Sequence, residues 1–577
     1  MRILTKILSN WTNPGSKRSI RRSAKGRTSV KTTRLQSDTS ALDAFLNSAL
    51  REGMLRDPLL AKDYLSFADR TGSRVRVGLR ATSSLRHLSD GRIDRDTGGT
   101  RTAESVDTLL STLSVKGGAQ FQARVLDSLE AIRAAPLPRP DPAHWSFIEA
   151  EQALKAGHPF HPNPRSRDEM TTAEARLYAP EQEGRFPLHW MAADPETCIA
   201  STGAEPFLRK LAQSDGITAP QGTLPLPWHP WQAQRLLALP DVLRLLSTGQ
   251  LHDLGHGSGD WAATSSMRCL HGWHAPFMVK TSLSLRLTNS TRHLSLREVR
   301  RGLHISDLLG SELGQRIARD FPTLHILGEP AFAALRGPSG ETMEETMTVL
   351  RSNPFRDPAA PGPHVLAALC EAPPEGLSPL GSLVATLGAN AARPWFRRFL
   401  DVAIWPLLEL RARYGLLFGA HQQNLMLQLA SNWPAAAWVR DCQGTGHLAE
   451  FHDLLTRASP GIGEGSENVV DTELGDGLVI YYVVVNSVLN TLVTLVLDGL
   501  AREDELLDDW RAFLITSRDT TPGDATLYER LLTRPTLTCK GNFATSRSGV
   551  NEADGDARGQ LASFFDLPNP LRETLTA

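Results

Sequence analysis

The stretch Phe418-Gly-Ala-His-Gln-Gln-Asn424, followed after a short apolar segment by Arg440-Asp441, decides how the C-terminal part of the chain is interpreted. Residues 425–429 form one strand-like run, and residues 435–439 form another. Between them, residues 431–434 read Ser-Asn-Trp-Pro, which are turn residues. The pattern therefore predicts a β-hairpin whose open end carries polar side chains.

The open end of this hairpin is a candidate site for a metal-bound triphosphate. If the two runs pair, Asn424 and Asp441 face each other there, with the His421 imidazole beside them. Carboxylate and amide oxygens suit Mg²⁺, which keeps substrate phosphates in its coordination shell. A hairpin with merely polar ends explains the same residues, so this segment alone leaves both interpretations open.

Residues 277–292, which read FMVKTSLSLRLTNSTR, predict a half-buried strand followed by a loop. Apolar positions 279, 283, 285 and 287 alternate with polar positions 280, 282, 284 and 286. The loop begins at Thr288 and ends in Arg292, and Ser295 with Glu298 then forms a capping box that starts a helix. Hydroxyls, backbone amides and an arginine at the start of a helix indicate an anion site. An exposed, charged edge strand is the alternative.

Three upstream motifs precede these segments: Gly157-His-Pro-Phe-His-Pro162, Pro227-Trp-His-Pro-Trp-Gln232 and Ser265-Ser-Met-Arg268. In this order, the five segments resemble the NRPS-independent siderophore synthetases, the aerobactin-synthetase-like IucA/IucC enzymes. The resemblance extends from about Glu149 to Leu571 and covers most of the chain. Each motif alone is weak, whereas the ordered set is specific.

The resemblance implies both an activity and an architecture. Members of the family adenylate a carboxylate, usually of citrate or a citrate derivative, with ATP and Mg²⁺, and they release pyrophosphate. An amine or a hydroxyl group of a second substrate then attacks the acyl adenylate. The implied fold is α+β, with thumb, fingers and palm lobes, a kinase-like palm, and ATP between fingers and palm. A homodimer is also implied.

The resemblance assigns roles to residues at matching positions. The implied ATP-binding residues are Ser266, Arg268, Lys280, Thr288, Asn424 and Asp441, and the last two would also hold Mg²⁺. The implied substrate-carboxylate residues are His158, His161, Arg292 and His421. His421, Lys280 and Arg292 are the catalytic candidates. Several fixed cations suit a site where a polyanionic acid meets a triphosphate, because the two would otherwise repel each other.

Two positions depart from the family pattern. Gly419 stands where the family commonly has an acidic residue, two positions before the histidine of HxQN. Asp441 and Asn424 must then suffice for the metal, or another acid must substitute. Arg165 stands where a lysine is usual, and an arginine can also clamp a carboxylate.

The histidine motifs also admit structural explanations. His158 and His161 have a spacing found in zinc sites, although no cysteine or acidic partner follows at ligand spacing. His229 precedes Pro230, which fits the first turn of a helix, so His229 is predicted to cap that helix and to shape the site. Trp228 and Trp231 are then predicted to be core residues.

Composition bounds the class of protein. The chain has 577 residues, 41% hydrophobic and 22% charged residues, and a formal net charge of -1, which excludes a general attraction to nucleic acid or membranes. The five cysteines are scattered, which indicates a reducing compartment and predicts a cytoplasmic protein. Residues 478–497 carry no charge but have polar residues at 486, 490 and 494, so they predict a buried core helix rather than a membrane span.

The predicted organisation has four parts. Residues 1–40 are a basic, disordered tail, in which the first acidic residue is Asp38. Residues 41–140 are a helical, thumb-like domain. Residues 141–390 are a fingers domain with the phosphate-binding strand and loop, and its proline-rich segment 353–379 is a linker or long loop. Residues 391–577 are a palm domain with the HxQN and RD motifs and a long helix at 395–414.

These observations predict an ATP-dependent carboxylate–amine (or alcohol) ligase of siderophore assembly that produces AMP and pyrophosphate. Two alternatives remain. A kinase-like phosphotransferase is one, because Asn424 and Asp441 around a hairpin also resemble the metal-binding residues of kinases. A catalytically impaired citrate- or nucleotide-binding protein is the other, because of Gly419.

Overall fold

The computed structural model describes residues 26–137, 139–465, 467–551 and 564–573. Its N-terminal lobe is an antiparallel sheet, with strand order β1-β2-β3-β4-β5, packed against three helices. The elements are α1 (Gly26–Arg51), β1 (Arg56–Leu60), β2 (Tyr64–Ala68), β3 (Arg74–Thr82), β4 (His87–Thr97), β5 (Thr100–Ala103), α2 (Val106–Ser114) and α3 (Gly118–Ala134).

The N-terminal lobe corrects two predictions. The domain predicted as helical at 41–140 contains five strands. In β3, buried Val75 and Val77 alternate with more exposed Arg74 and Arg76, a period-2 pattern that the sequence analysis overlooked. The predicted disordered tail 1–40 is also too long, because α1 begins at Gly26. Residues 1–25 lie outside the described residues.

The central lobe is built on a six-stranded antiparallel sheet with strand order β10-β11-β12-β17-β16-β7, beside a three-stranded sheet β8-β6-β9. Its first part ends with the hairpin formed by β13 and β14. The elements of this part are α4 (Phe147–Gln152), α5 (Thr172–Tyr178), β6 (His189–Ala193), β7 (Cys198–Ala200), α6 (Ala204–Ser214), β8 (Leu224–Trp228), α7 (Pro230–Leu236), α8 (Pro240–Ser247), β9 (Leu251–His256), β10 (Trp261–Ala263), β11 (Cys269–Gly272), β12 (Phe277–Thr281), β13 (Leu283–Leu287) and β14 (Ser290–Arg292).

The chain then leaves this sheet and returns to it. The elements of this part are α9 (Leu296–Gly310), α10 (Glu312–Asp320), β15 (Leu324–Ile326), β16 (Ala331–Leu335), β17 (Thr348–Ser352), β18 (His364–Val365), α11 (Leu366–Leu369) and α12 (Pro379–Ala385). The predicted single strand over 277–287 is interrupted at Ser282, and β13 pairs with β14 about a turn at Thr288. The predicted loop 288–292 is therefore largely the strand β14. The capping box of Ser295 and Glu298 is confirmed at the start of α9.

The C-terminal lobe contains the predicted hairpin. Its elements are α13 (Ala392–Phe399), a π-helical segment (Leu400–Ile404), α14 (Trp405–Tyr414), β19 (Leu416–Leu417), β20 (Leu425–Ala430), β21 (Trp433–Val439), β22 (Gly446–Leu448), α15 (His452–Ala458), β23 (Val469–Val470), α16 (Thr472–Val479), a second π-helical segment (Ile480–Leu489), α17 (Asn490–Leu497), α18 (Glu503–Thr520), α19 (Thr526–Thr533), β24 (Thr536–Lys540), α20 (Asn542–Ser548), β25 (Phe564–Pro568) and α21 (Pro570–Glu573).

The hairpin prediction is confirmed. Strands β20 and β21 pair antiparallel, with Leu425 opposite Val439. Ser431 and Asn432 have φ angles of 47° and 66°, which are the values that a tight two-residue hairpin turn requires. The long helix predicted at 395–414 is also present, with a π-helical segment in its middle.

The predicted boundary at residue 390 does not separate two cores. The sheet that contains the hairpin has strand order β15-β21-β20-β18, so two of its four strands come from the segment predicted as fingers. Helices α9 and α10 contribute Ile305 and Ile317 to the same core as Trp395 of α13. The proline-rich segment 353–379 carries β18 and α11 and is therefore part of this core rather than a linker.

One described helix, Thr472–Leu497, is long and apolar enough to cross a membrane, but 89% of its most apolar stretch is buried inside the protein. Its polar residues have partners there. Asn490 donates to Gln422 at 2.6 Å, and Asn486 donates to the Tyr481 carbonyl oxygen at 2.9 Å. This burial supports the prediction of a core helix. The helices and strands together confirm the predicted mixed α+β class.

Candidate active site

A cavity of about 730 Å³ lies between the central sheet and the β20–β21 hairpin. All of the predicted site residues line it: His158, His161, Ser266, Arg268, Lys280, Thr288, Arg292, His421, Asn424 and Asp441. They come from segments that are far apart along the chain. We call this cavity the cleft.

Lys280 and Asp441 connect the two walls of the cleft. Lys280 lies on β12 in the middle of the six-stranded sheet, and its side chain is only 3% exposed. Its ammonium group donates to the Asp441 carboxylate and, at 2.7 Å, to Oε1 of Gln443. Although burial alone would raise the pKa of Asp441, the charges of Lys280 and Arg351 hold it well below its usual range. Asp441 is therefore ionised and available as an oxygen ligand.

Two members of this charge network were not predicted from the sequence. Arg351 on β17 donates to Glu329 at 2.7 Å and lies 3.7 Å from Asp441. Glu329 also lies 3.6 Å from the Lys280 ammonium group. One signal was present, because Arg351 follows the apolar pair Val349 and Leu350 directly within β17. Its partner Glu329 had no comparable signal, since only the pairing of β12 with β17 and the adjacent chain bring these groups together.

His421 precedes β20 and is neutral at neutral pH. Its pKa is lowered to about 4, mainly by burial. Arg440, Lys540 and Arg292 contribute to this lowering, and the charge of Asp441 opposes it. Its Nδ1 accepts from the Gln423 backbone N–H at 3.3 Å. A neutral imidazole can bind a substrate oxygen by a hydrogen bond but adds no full positive charge.

His158 and His161 also line the cleft. The pKa of His158 is lowered to about 3, mainly by burial. Its Nε2 is 3.3 Å from Oδ1 of Asn486, and Nε2 of His161 is 3.2 Å from Oδ1 of Asn289. Each ring also accepts a backbone N–H through its Nδ1. Within the described ranges, no group of three or more His, Cys, Asp or Glu side chains could hold a metal, so the zinc interpretation has no support.

Arg292, at the end of β14, and Arg268, just before β11, each donate hydrogen bonds to neighbouring protein atoms. Arg292 donates to Oγ1 of Thr288 at 3.1 Å. Arg268 donates to the carbonyl oxygens of Arg292 and His293 at 3.2 and 3.0 Å. These contacts hold both guanidinium groups at the cleft wall, where they can face an anion.

Arg440 of the RD motif has a structural role instead. Its side chain is buried, with 3% of the residue exposed. It donates to the Glu151 carboxylate of α4 at 2.5 Å and to Oγ of Ser265 at 2.9 Å. Glu151 in turn accepts from the Ser265 backbone N–H at 2.8 Å. The pair fixes the hairpin against the Ser265–Arg268 segment. Arg165 is likewise used internally, since it donates to the Lys155 carbonyl oxygen at 3.0 Å and lies 3.4 Å from Glu181.

His229 caps a helix, as predicted. Its Nδ1 accepts from the Trp231 backbone N–H at 3.1 Å at the start of α7. Trp228 and Trp231 are fully buried core residues. Neither tryptophan nor His229 lines the cleft, so this motif shapes the site indirectly.

The donor set beside the hairpin fits Mg²⁺. It consists of the Asp441 carboxylate and the Asn424 carboxamide, and Mg²⁺ is typically bound through one or two carboxylates together with substrate phosphates. Gly419 leaves open space next to these groups, because a Cβ there would meet only the Gly444 carbonyl oxygen, at 4.0 Å.

Comparison with known proteins places the chain among enzymes of siderophore assembly. A family model described as "IucA / IucC family" matches residues 146–371, and one described as "Ferric iron reductase FhuF-like transporter" matches residues 393–556. The chain is 36% identical over 448 residues to the rhizobactin siderophore biosynthesis protein RhbC of Rhizobium meliloti, with 74% of this chain and 76% of that protein covered. It is 32% identical over 452 residues to the N(2)-citryl-N(6)-acetyl-N(6)-hydroxylysine synthase of Escherichia coli, with 74% and 76% covered.

A solved structure agrees over nearly the whole fold. The ATP-bound aerobactin synthetase IucA from a hypervirulent pathotype of Klebsiella pneumoniae superposes with a TM-score of 0.83 at 28% identity. The superposition covers 92% of this chain and 99% of that one.

Proposed function

Because this chain belongs to the IucA/IucC family of siderophore synthetases, we propose that it activates a carboxylate of citrate or a citrate derivative with ATP and transfers the acyl group to an amine or alcohol. One observation carries the proposal. Lys280, Arg268 and Arg292 converge with Asp441 and Asn424 on one cleft that is large enough for a nucleotide and an acid. Relatives named a citryl-hydroxylysine synthase and a spermidine-citrate ligase support citrate as the acid.

In the proposed first step, an oxygen of the substrate carboxylate attacks the α-phosphorus of ATP. The bond between that phosphorus and the pyrophosphate oxygen breaks, which leaves an acyl adenylate. Negative charge shifts onto the leaving pyrophosphate, and Lys280, Arg268 and Arg292 stabilise it from fixed positions. When bound, Mg²⁺ would neutralise further phosphate charge, and Asp441 and Asn424 are the residues that would hold it.

In the proposed second step, the nitrogen or oxygen of the acceptor attacks the acyl carbon. The bond from that carbon to AMP breaks, and the attacking atom loses its proton to solvent. Neutral His421 orients the reacting carboxylate by a hydrogen bond, with His158 and His161 at the border of the acid pocket. Catalysis then rests on orientation and charge stabilisation, with no covalent bond to the enzyme.

The remaining assignments belong to the same proposal. The three lobes would act as thumb, fingers and palm, the hairpin lobe would be kinase-like, and two chains would form a homodimer. Cytoplasmic function is supported by the five cysteines, all of which are buried and free.

The products of turnover test this function. The protein is incubated with ATP, Mg²⁺, citrate and hydroxylamine, a small amine that captures an acyl adenylate. We expect AMP, pyrophosphate and a citryl hydroxamate, and none of them when citrate is omitted. Release of ADP without AMP would support the phosphotransferase instead. Nucleotide binding without turnover over a broad panel of amines would support a catalytically impaired binding protein.

A further inference from the structure

Arg301 is a cleft residue to which the proposed chemistry has so far given no role. It lies on α9, next to Gly302, and lines the cleft together with Gln443. Its Nη1 donates to the Gln443 carbonyl oxygen at 3.0 Å. Gln443 in turn contacts Lys280 through its Oε1. Arg301, Gln443 and Lys280 therefore form a continuous row of contacts that lines the cleft.

This row contains donors without acceptors. Among the residues that the structure describes, Nε of Arg301 and Nε2 of Gln443 are buried and have no hydrogen-bond partner. A guanidinium group carries five N–H donors, and the described contacts of Arg301 use one nitrogen. Buried donors are normally paired, so two unpaired ones on neighbouring side chains at a cleft indicate a ligand with several acceptor oxygens.

The backbone is shaped to hold Arg301 close to the charge network. A Cβ at position 302 would lie 2.8 Å from the Glu329 carboxylate and 3.2 Å from Cγ of Gln443. Only glycine therefore allows α9 to approach the turn Cys442–Gly444 this closely. Burial lowers the pKa of Arg301, but an arginine remains charged at neutral pH.

We infer that Arg301, together with the Gln443 side-chain amide, binds the pyrophosphate that leaves during adenylation; this inference rests on the proposed function. The leaving group is a polyanion with acceptor oxygens on every side, which matches the free donors of this row. Gln443 lies between Arg301 and Lys280, so with Lys280 at the reacting phosphate, Arg301 would face the pyrophosphate, where charge accumulates as the phosphorus–oxygen bond breaks. Arg301 thus extends the cationic wall from the reacting phosphate to the departing one.

Calorimetric titration of the full-length protein with magnesium pyrophosphate tests this role. We expect Arg301→Gln to weaken pyrophosphate binding by at least about 10-fold, because a hydrogen bond to a charged group is lost. Arg301→Lys, which keeps the charge but loses the planar donor group, should fall between Gln and the wild type, and it serves as the test if the Gln variant does not fold. Arg300→Gln is the matched control, since Arg300 is exposed on the same helix and does not line the cleft.

Titration with AMP separates binding from a structural role. If Arg301 contacts the leaving group, AMP binding should be unchanged in the Arg301 variants. Equal losses for AMP and pyrophosphate would mean that Arg301 only supports the turn, and unchanged pyrophosphate binding would also overturn the inference. The titration measures binding without turnover, so its result does not depend on the turnover assay. If the wild type released ADP, the proposed function would be refuted, but weaker pyrophosphate binding by the Arg301 variants would still show that Arg301 contacts a polyphosphate.

Discussion

Lys280 donates to the Asp441 carboxylate, so a strand of the central sheet is joined to the end of the hairpin by an ion pair between residues 161 positions apart. Glu329 and Arg351 complete the network, and each carboxylate faces both cations. When ATP binds, a phosphate group must therefore replace Asp441 as the partner of Lys280. A metal ion must likewise replace Lys280 as the partner of Asp441. The pair keeps both groups ionised and in place before the nucleotide arrives.

The Lys280–Asp441 pair should show energetic coupling. Lys280→Met and Asp441→Asn should each lower the free energy of unfolding by about 3 kcal/mol, because each leaves the charge of its partner, the buried Lys280 or the one-third exposed Asp441, less well paired. The double variant should be more stable than the sum of the two losses predicts. Denaturant unfolding at pH 7 of all four proteins measures the coupling. Strict additivity would mean that the two groups do not interact in solution.

Arg292→Ala should lower the rate of citrate-dependent AMP formation by ~100-fold, because a fixed cation that faces the reacting phosphate is removed. The thermal midpoint should change little, since Arg292 is only half-buried. Arg286→Ala is the matched control: it lies in the paired strand of the same hairpin, donates to the Val550 carbonyl oxygen and does not line the cleft. Equal activities for the two variants would remove Arg292 from the catalytic set.

Gly419→Asp should lower the Mg²⁺ concentration that gives half-maximal activity. The new carboxylate would enter open space beside Asn424 and add a second acidic ligand. Gly419→Ala is the control for side-chain bulk and should fold and respond to Mg²⁺ like the wild type, because its Cβ meets no atom closer than 4.0 Å. An unchanged Mg²⁺ requirement in the Asp variant would argue against a metal at this hairpin.

Buried His229 should make the protein less stable in mild acid. Burial lowers its pKa from 6.5 to about 3, so between pH 7 and pH 5 the unfolded chain takes up a proton that the folded protein does not. The contribution of neutral His229 to the free energy of unfolding is therefore complete above about pH 6.5, and it is lost as the pH falls towards 3. His229→Asn keeps an N-cap but does not titrate. It should reduce the loss of unfolding free energy between pH 7 and pH 5 by about 2 kcal/mol.

Glu371 should act through the position of His158. Its carboxylate accepts the backbone N–H groups of Lys155 and Ala156, both at 2.9 Å, and of Gly157 at 3.4 Å, just before His158. Glu371→Ala should raise the KM for citrate about 10-fold, with a smaller effect on kcat, because the acid pocket loses its support. Glu371→Gln keeps an acceptor oxygen and should restore most of the affinity. Equal KM values for the Ala variant and the wild type would refute this role.

Local patterns account for the elements that were predicted correctly. The hairpin was predictable because its apolar runs and its turn residues are neighbours along the chain, and Ser431 and Asn432 adopt the positive φ angles that such turns need. The capping box before α9 and the His229 cap are equally local. The N-terminal sheet was not predicted, because the polar composition of that region hides the alternation of buried and exposed residues in β3.

Long-range contacts account for what was missed. Nothing near Glu329 in the sequence indicates that it lies beside Lys280. The division of the chain at residue 390 failed because β15 and β18 join strands from beyond it. A linear boundary cannot describe lobes that exchange strands.

By itself, the sequence determined the hairpin and the caps, because turn chemistry and strand period depend on adjacent residues. The set of charged and imidazole groups that line one cleft followed from the resemblance of the ordered motifs to a known family. Only the tertiary structure decided that Lys280 is paired with Asp441, that His421 is neutral, and that Arg301 retains unused donors. Ion pairing, pKa and donor satisfaction depend on burial and on neighbours from distant segments, and the folded chain alone brings those neighbours together.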